Sequence, residues 1–416
     1  MKLKTTKKLL ALSIATLVST SMAAPYEVVD LGGLGGTTSV VYDINEAGQA
    51  VGYANGPLND EGEREFFAHA VQFDDSGNVD LGTLENGTSS EAVGINDAMV
   101  AVGLSNVSSE SDGVKIAQQF AVVYESGTVS KILDIEGVSS VVAYDINNNN
   151  KVILGANYDV EPDNDDIGKP SRGFIYDRNT DQYSIIEPFA EDPSRNSYVT
   201  AINDNDDIVG FADIEDGESF RIASYFANAS DVSTKIEIET IDNRALFARS
   251  INNKQEVVGN IYITGTRDNR EAFYIDMSAG NPELKLLGFF DEDFTDSRAM
   301  DINNVGQIVG RALVSVPTIG ESGAFLYENE EMKNLNELIA CDSPWTLTEA
   351  RAINDAGQIV GFGTVDGEIR AFRLDPTGEP VEDCGETNPQ PSDGGGSVPV
   401  ILLGILAALG IRRRYS

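Results

Sequence analysis

An Ile-Asn pair recurs seven times along this 416-residue chain, and no other feature limits the fold as tightly. The asparagines are Asn45, Asn96, Asn147, Asn203, Asn252, Asn303 and Asn354, spaced 49 to 56 residues apart. Six residues after each stands a β-branched residue: Val51, Val102, Ile153, Val209, Val258, Val309 or Val360. Glycine follows it in every copy except the third, where Leu154 intervenes before Gly155. Repetition at a fixed period of this length marks a stack or ring of identical supersecondary units.

Each unit reads as four short strands. The first ends at Ile-Asn. A tight turn follows, and Gly48, Gly306, Gly357, Asn150 and Asp206 suit its positive-φ position, whereas Met99 and Gln255 predict turns of another kind. The second strand ends Val-Gly, its glycine suggesting a close approach between neighbouring sheets. The third is aromatic, as in Ala324-Phe325-Leu326-Tyr327, and the fourth leads to a Leu or Ile pair such as Leu286-Leu287. Four strands per repeat match a β-propeller blade, so the expected fold is all-β: a seven-bladed β-propeller of four-stranded blades spanning residues 24–375. The last copy enters a Pro-rich segment after its third strand, and residues 26–34 (YEVVDLGGL) resemble the fourth strand VDLGTL of the first copy. The N-terminal strand is therefore expected to complete the last blade and remove the open edges. A linear β-solenoid, the alternative, gains nothing from that permutation.

The units resemble the HAF-repeat family of secreted Gram-negative bacterial proteins, a domain of unknown function with an Ile-Asn-x-x-Gly-x-x-Val-Gly core and a His-Ala-Phe strand. Ala-Phe survives here at Ala272-Phe273, Ala324-Phe325 and Ala371-Phe372. The single histidine, His69, precedes Ala70 and Val71. The resemblance spans about residues 26–374 and implies fold and export but no chemistry.

The ends read as addresses. Lys2, Lys4, Lys7 and Lys8, then an apolar run to Val18, then Ser21-Met22-Ala23 describe a signal peptide over residues 1–23 with cleavage between Ala23 and Ala24. Residues 376–393, rich in Pro, Gly and acids, read as a flexible spacer. Residues 394–416 hold Gly394-Gly395-Gly396-Ser397, a short apolar run, and Arg412-Arg413-Arg414. That run is short against the roughly 20 residues of a permanent anchor, and the arginines favour the cytoplasmic side. The three-part tail resembles the GlyGly-CTERM sorting signal, which implies a rhomboid-type sorting protease and secretion machinery as partners and delivery to the cell surface. A retained membrane anchor is the other reading.

Charge narrows the partners. Asp and Glu number 67 against 29 Lys and Arg, a formal net charge of -38. Nucleic acid is excluded as a partner, because its phosphates repel such a surface. The leader and tail contain no acids, so the body between them is more acidic still. The acids crowd loops expected on one face: Asp60, Glu61, Glu63 and Glu65; Asp159, Glu161 and Asp163, Asp165, Asp166; Asp213, Glu215, Asp216 and Glu218. Oxygen-only ligands suit Ca²⁺, with Asp163, Asp165 and Asp166 the candidate ligands; solvated surface charge is the plainer explanation.

Cys341 and Cys384 are the only cysteines and suggest a disulfide across the ring closure. Arg249 and Arg351 are expected near the ring axis among Asp43, Asp145 and Asp301, as anion ligands or as ion pairs between blades. No catalytic residue stands out: one histidine excludes a multi-histidine zinc site, no Gly-x-Ser-x-Gly elbow occurs, and the sole tryptophan, Trp345, makes no sugar platform. The expected function is a non-enzymatic binding propeller whose acidic loop face meets an extracellular protein, polymer or glycan. A glycan-processing enzyme using two carboxylates and a structural envelope component are the alternatives.

Overall fold

A computed structural model of the chain describes residues 24–381, apart from 75–76, 112–113, 134–137, 159–168, 218, 265–268, 292, 294 and 315–321. Its described strands form seven antiparallel four-stranded sheets, the blades of a β-propeller. Blade one is Ser39–Ile44, Ala50–Ala54, His69–Phe73 and Val79–Gly82. The first strands of blades two to seven are Gly87–Ile95, Val138–Ile146, Ser197–Ile202, Leu246–Ile251, Ser297–Ile302 and Thr346–Ile353.

The seventh blade is composite. Tyr26–Gly32 pairs with Glu368–Pro376 from Tyr26↔Pro376 to Gly32↔Ala371, giving the blade its fourth strand. The closing strand is tied at its start: Tyr26 N–H donates to Leu338 O, Thr377 N–H to Pro25 O, and the Thr377 hydroxyl to Ala24 O. Tyr26 packs with Leu338, Ile339 and Leu374. The closing strand covers the edge that Glu368–Pro376 would otherwise present, so the seventh blade has four strands like the other six.

The core lies between blades. Val41, Ile44 and Phe73 of blade one bury against Leu31, Ala352, Val360 and Ala371 of blade seven, and the other interfaces repeat this pattern. The aromatic third strands supply Phe73, Phe174, Phe273, Phe325 and Phe372, all fully buried. Trp345 stands edge-on to Phe372, at 6.1 Å. Serines that the sequence did not single out add polar ties between blades. Ser39 Oγ accepts from Ala371 N–H, Ser90 Oγ from Ala70 N–H and Ser297 Oγ from Ala272 N–H, each across an interface.

The Asn turns are alike in all seven blades. Met99 and Gln255 adopt positive φ (61° and 66°) just as Gly48, Asn150, Asp206, Gly306 and Gly357 do, so the expectation of different turns is corrected. The preceding asparagine explains it. Asn96 Oδ1 accepts from Ala98 and Val100 N–H, and Asn252 Oδ1 from Lys254 and Glu256 N–H. Those bonds hold the turn whatever stands at its tip.

Cys341 is disulfide-bonded; Cys384, the expected partner, lies outside the described residues, as do the leader and the sorting tail. Among the described residues no helix is long and apolar enough to cross a membrane.

Candidate functional site: the axial channel

Two closed rings of hydrogen bonds build the narrow end of the channel. In the first, each repeat asparagine donates Nδ2–H to the backbone carbonyl of the next. Asn45 reaches Asn96 O (3.2 Å), and the chain runs through Asn147, Asn203, Asn252 and Asn303 to Asn354, which returns to Asn45 O at 3.2 Å. All seven are 2–5% exposed. The side-chain amide supplies both the acceptor that caps its own turn and the donor that grips its neighbour. In the second ring the residue after each asparagine repeats the device through its backbone N–H. Glu46 N–H donates to Asp97 Oδ1, and the series continues through Asn148, Asp204, Asn253, Asn304 and Asp355, whose N–H returns to the Glu46 carboxylate.

The wider end is shaped by a β-bulge in every first strand. Pairing with the second strand skips one residue, as between Val41 and Asp43, at the same repeat position in all seven blades. A bulge re-aims the extra side chain. The seven extra residues, Tyr42, Val93, Tyr144, Thr200, Arg249, Met300 and Arg351, all line one axial cavity of about 420 Å³. The Val-Gly glycine belongs to the same device. A Cβ on Gly52 would lie 1.9 Å from Val40 O, and one on Gly210 2.0 Å from Tyr198 O. The close approach is therefore to the bulged strand of the same blade, not to a neighbouring sheet as expected.

Asp43, Asp145 and Asp301 form the throat, lining both this cavity and a smaller one of about 170 Å³ at the Asn turns. Asp43 and Asp145 each span two blades and Asp301 three. Asp43 accepts from Ile44 and Ile95 N–H, Asp145 from Ile146 and Ile202 N–H, and Asp301 from Ser250 Oγ–H and Ile353 N–H. Burial pushes all three above the usual carboxylate range, and for Asp43 repulsion from Asp145 adds to it. The opposing positions on the next blades are small: a Cβ on Gly94 would lie 2.9 Å from Asp145 Cα.

The cavity wall is unequal. Tyr198 and Phe211 rings lie 4.8 Å apart, and Phe211 meets Phe247 at 5.1 Å. The aromatic surface is thus tyrosine and phenylalanine, not the sequence's tryptophan. Across from it, Arg351 Nε lies 2.7 Å from Glu349 Oε1 but out of line for a hydrogen bond. Arg351 also sits 5.5 Å from the Tyr42 and Phe362 rings. Glu349 also meets Arg311 Nε at 3.3 Å, across blades. Arg249 forms no ion pair or side-chain hydrogen bond among the described residues, and its Nε is buried without a partner. Burial, then repulsion from Arg270, Arg298 and Arg351, holds its guanidinium below the usual arginine range. The expected inter-blade ion pairs of Arg249 and Arg351 are therefore corrected: one pairs within its own strand, the other does not pair.

Residues 81–228 and 218–402 match the model of a family described as Protein of unknown function (DUF3466). The chain belongs to the DUF3466 family. No curated protein matches this DUF3466 chain. Among solved structures it is similar to the β-propeller domain of the Trilobed protease from Pyrococcus furiosus, which has an open velcro topology. Identity there is 12% and the TM-score 0.50, over 82% of this chain and 97% of that one. It is also similar to oligogalacturonate lyase from Vibrio parahaemolyticus, with 10% identity and a TM-score of 0.50 over 84% and 93%. At such identities the likeness concerns the fold alone.

Among the described residues, the acidic loops contribute nothing to the wall of either cavity. Asp60, Glu61, Glu63 and Glu65 are exposed, as are Glu215 and Asp216. Asp213 caps Asn196 N–H. Asp163, Asp165 and Asp166 lie outside the described residues, and among the described ones no cluster of three or more acidic, Cys or His side chains is placed to hold a metal. His69 is a strand residue, its Nδ1 3.0 Å from Asp80 and its ring stacked on Phe66 at 3.9 Å. The channel positions carried one sequence signal: three residues before each asparagine the residue type changes from copy to copy, while the asparagine never does.

Proposed function

We propose that this DUF3466 protein is a ligand-binding propeller whose site is the axial cavity rather than the acidic loop face. One observation carries the reading: seven identical bulges present seven side chains of five kinds to a single space. Its size suits a small molecule, since ligand pockets run roughly 300–1,000 Å³, and its unequal wall suits a ligand held in one orientation. Binding is favoured over carboxylate catalysis because the throat acids already join blades through both oxygens.

Filling the cavity tests this. Val93→Trp, on the blade-two bulge, is expected to leave the melting temperature within a few degrees. It is also expected to remove small molecules that co-purify with, or are captured by, the wild-type propeller, as read by native mass spectrometry. Equal capture by the variant and the wild type removes the axial reading.

We also propose that the chain is exported and that its tail is cut on the way to the cell surface, the reading supported by the leader and by the Gly-Ser, apolar, triple-Arg order of residues 394–416. Replacing Gly394, Gly395 and Ser397 with Leu is expected to leave the tail attached and to hold the protein in the membrane fraction. Normal release of tail-free protein sinks that proposal.

A further inference from the structure

The channel carries an electrostatic contrast that neither the fold nor the ring bonds require. The chain has more than twice as many acids as bases. Yet five arginines, Arg249, Arg270, Arg298, Arg311 and Arg351, gather on blades five to seven beside the cavity and influence one another. At that level Glu349 and Asp296 answer three of them, with Arg298 Nε 3.1 Å from Asp296 and Arg311 and Arg351 sharing Glu349, while Arg270 donates to the Tyr262 hydroxyl. Arg249 is left over, pointing into the cavity from its bulge, half-buried and unpaired. A desolvated donor without an acceptor is costly, and no described side chain supplies one. An oxyanion in the cavity does, and a guanidinium fork suits a planar carboxylate.

We propose that the axial cavity binds a small ring-bearing carboxylate, its oxyanion held by Arg249 and Arg351 and its ring laid on the Tyr144, Tyr198 and Phe211 wall. This rests on the reading that the cavity is the ligand site. Inorganic anions satisfy the arginines but leave the aromatic wall and most of the volume unused. Beyond the ligand, Asp43, Asp145 and Asp301 close the narrow end with their own negative charge as they ionise, so the carboxylate stays on the arginine side. A sugar acid and an aryl acid share this chemistry, and the choice between them is left to the probes.

The test is calorimetric titration of the mature propeller at fixed ionic strength. The probes are glucuronate and benzoate, their neutral counterparts glucose and benzyl alcohol, and sodium sulfate. At least one carboxylate is expected to bind about tenfold or more tightly than its neutral counterpart and than sulfate. Arg249→Gln is expected to weaken it about tenfold, and Val93→Trp to abolish it; far-ultraviolet circular dichroism and a sharp melt confirm that both variants fold. The ring preferred by the wild type separates sugar acid from aryl acid. No saturable carboxylate binding, or binding unchanged in Arg249→Gln, overturns the proposal. Neutral probes that bind as well as their acids, and lose binding in Val93→Trp, overturn the anion assignment while keeping the cavity as the site. Carboxylate binding that survives Val93→Trp removes the cavity reading too.

Discussion

A chain that starts at residue 34 is expected not to fold into a stable monomer. The missing segment contains the strand Tyr26–Gly32, the outer strand of blade seven. Its loss unpairs six register positions along Glu368–Pro376 and exposes the edge beside Phe372. Each lost backbone bond costs about 1 kcal/mol net and the burial of Tyr26 and Leu31 about 2 kcal/mol each. The total, on the order of 8–10 kcal/mol, rivals the whole stability of an ordinary domain. Size-exclusion chromatography should show aggregates, and the thermal melt should lose its cooperativity. A synthetic peptide of residues 24–33 added in trans should restore part of the monomer, because the vacated edge is a strand template. A truncated protein that stays monomeric and melts within a few degrees of the full chain would show that the ring does not depend on this closure.

Removing one asparagine from the inner ring should have the next largest effect. Asn303 is 4% exposed. Its Oδ1 accepts from Val305 and Gln307 N–H, and its Nδ2 donates to Asn354 O. Asn303→Ala strands two backbone donors and a carbonyl at a buried junction, where an unmade bond costs about 1–3 kcal/mol. With partial rescue by water from the channel, the expected loss is about 3–5 kcal/mol in urea unfolding at unchanged slope. Val305→Ala, in the same turn at a 62% exposed position, should stay within about 0.5 kcal/mol. A loss under about 1 kcal/mol for Asn303→Ala would mean that the ring bonds follow from the packing rather than support it.

Much of this was legible in the chain. The asparagine period gives the blade count. The missing fourth strand of the last copy and the spare strand at residues 26–34 give the closure. Turn chemistry was read too narrowly, from the tips at Met99 and Gln255 instead of from Asn96 and Asn252, which cap those turns. The site was sought in the loops because the acids there are conspicuous. Concavity, however, comes from backbone geometry, and a count of charges carries none of that.

The sequence by itself determined how many units there are and how the ring shuts, because both depend on period and strand length, which are local. Tertiary structure alone decided which side chains face the axis. Strand alternation assigns faces by odd and even position, and a single bulge residue reverses that assignment. Tyr42, Arg249, Arg351 and the four other bulge residues reach one cavity through seven such reversals. The carbonyl that Asn252 grips lies 51 residues on, Asn354 returns to a carbonyl 309 residues back, and Glu349, which takes Arg311 and Arg351 and leaves Arg249 unpaired, stands two blades from Arg249. Such distances along the chain become contacts only when the ring closes.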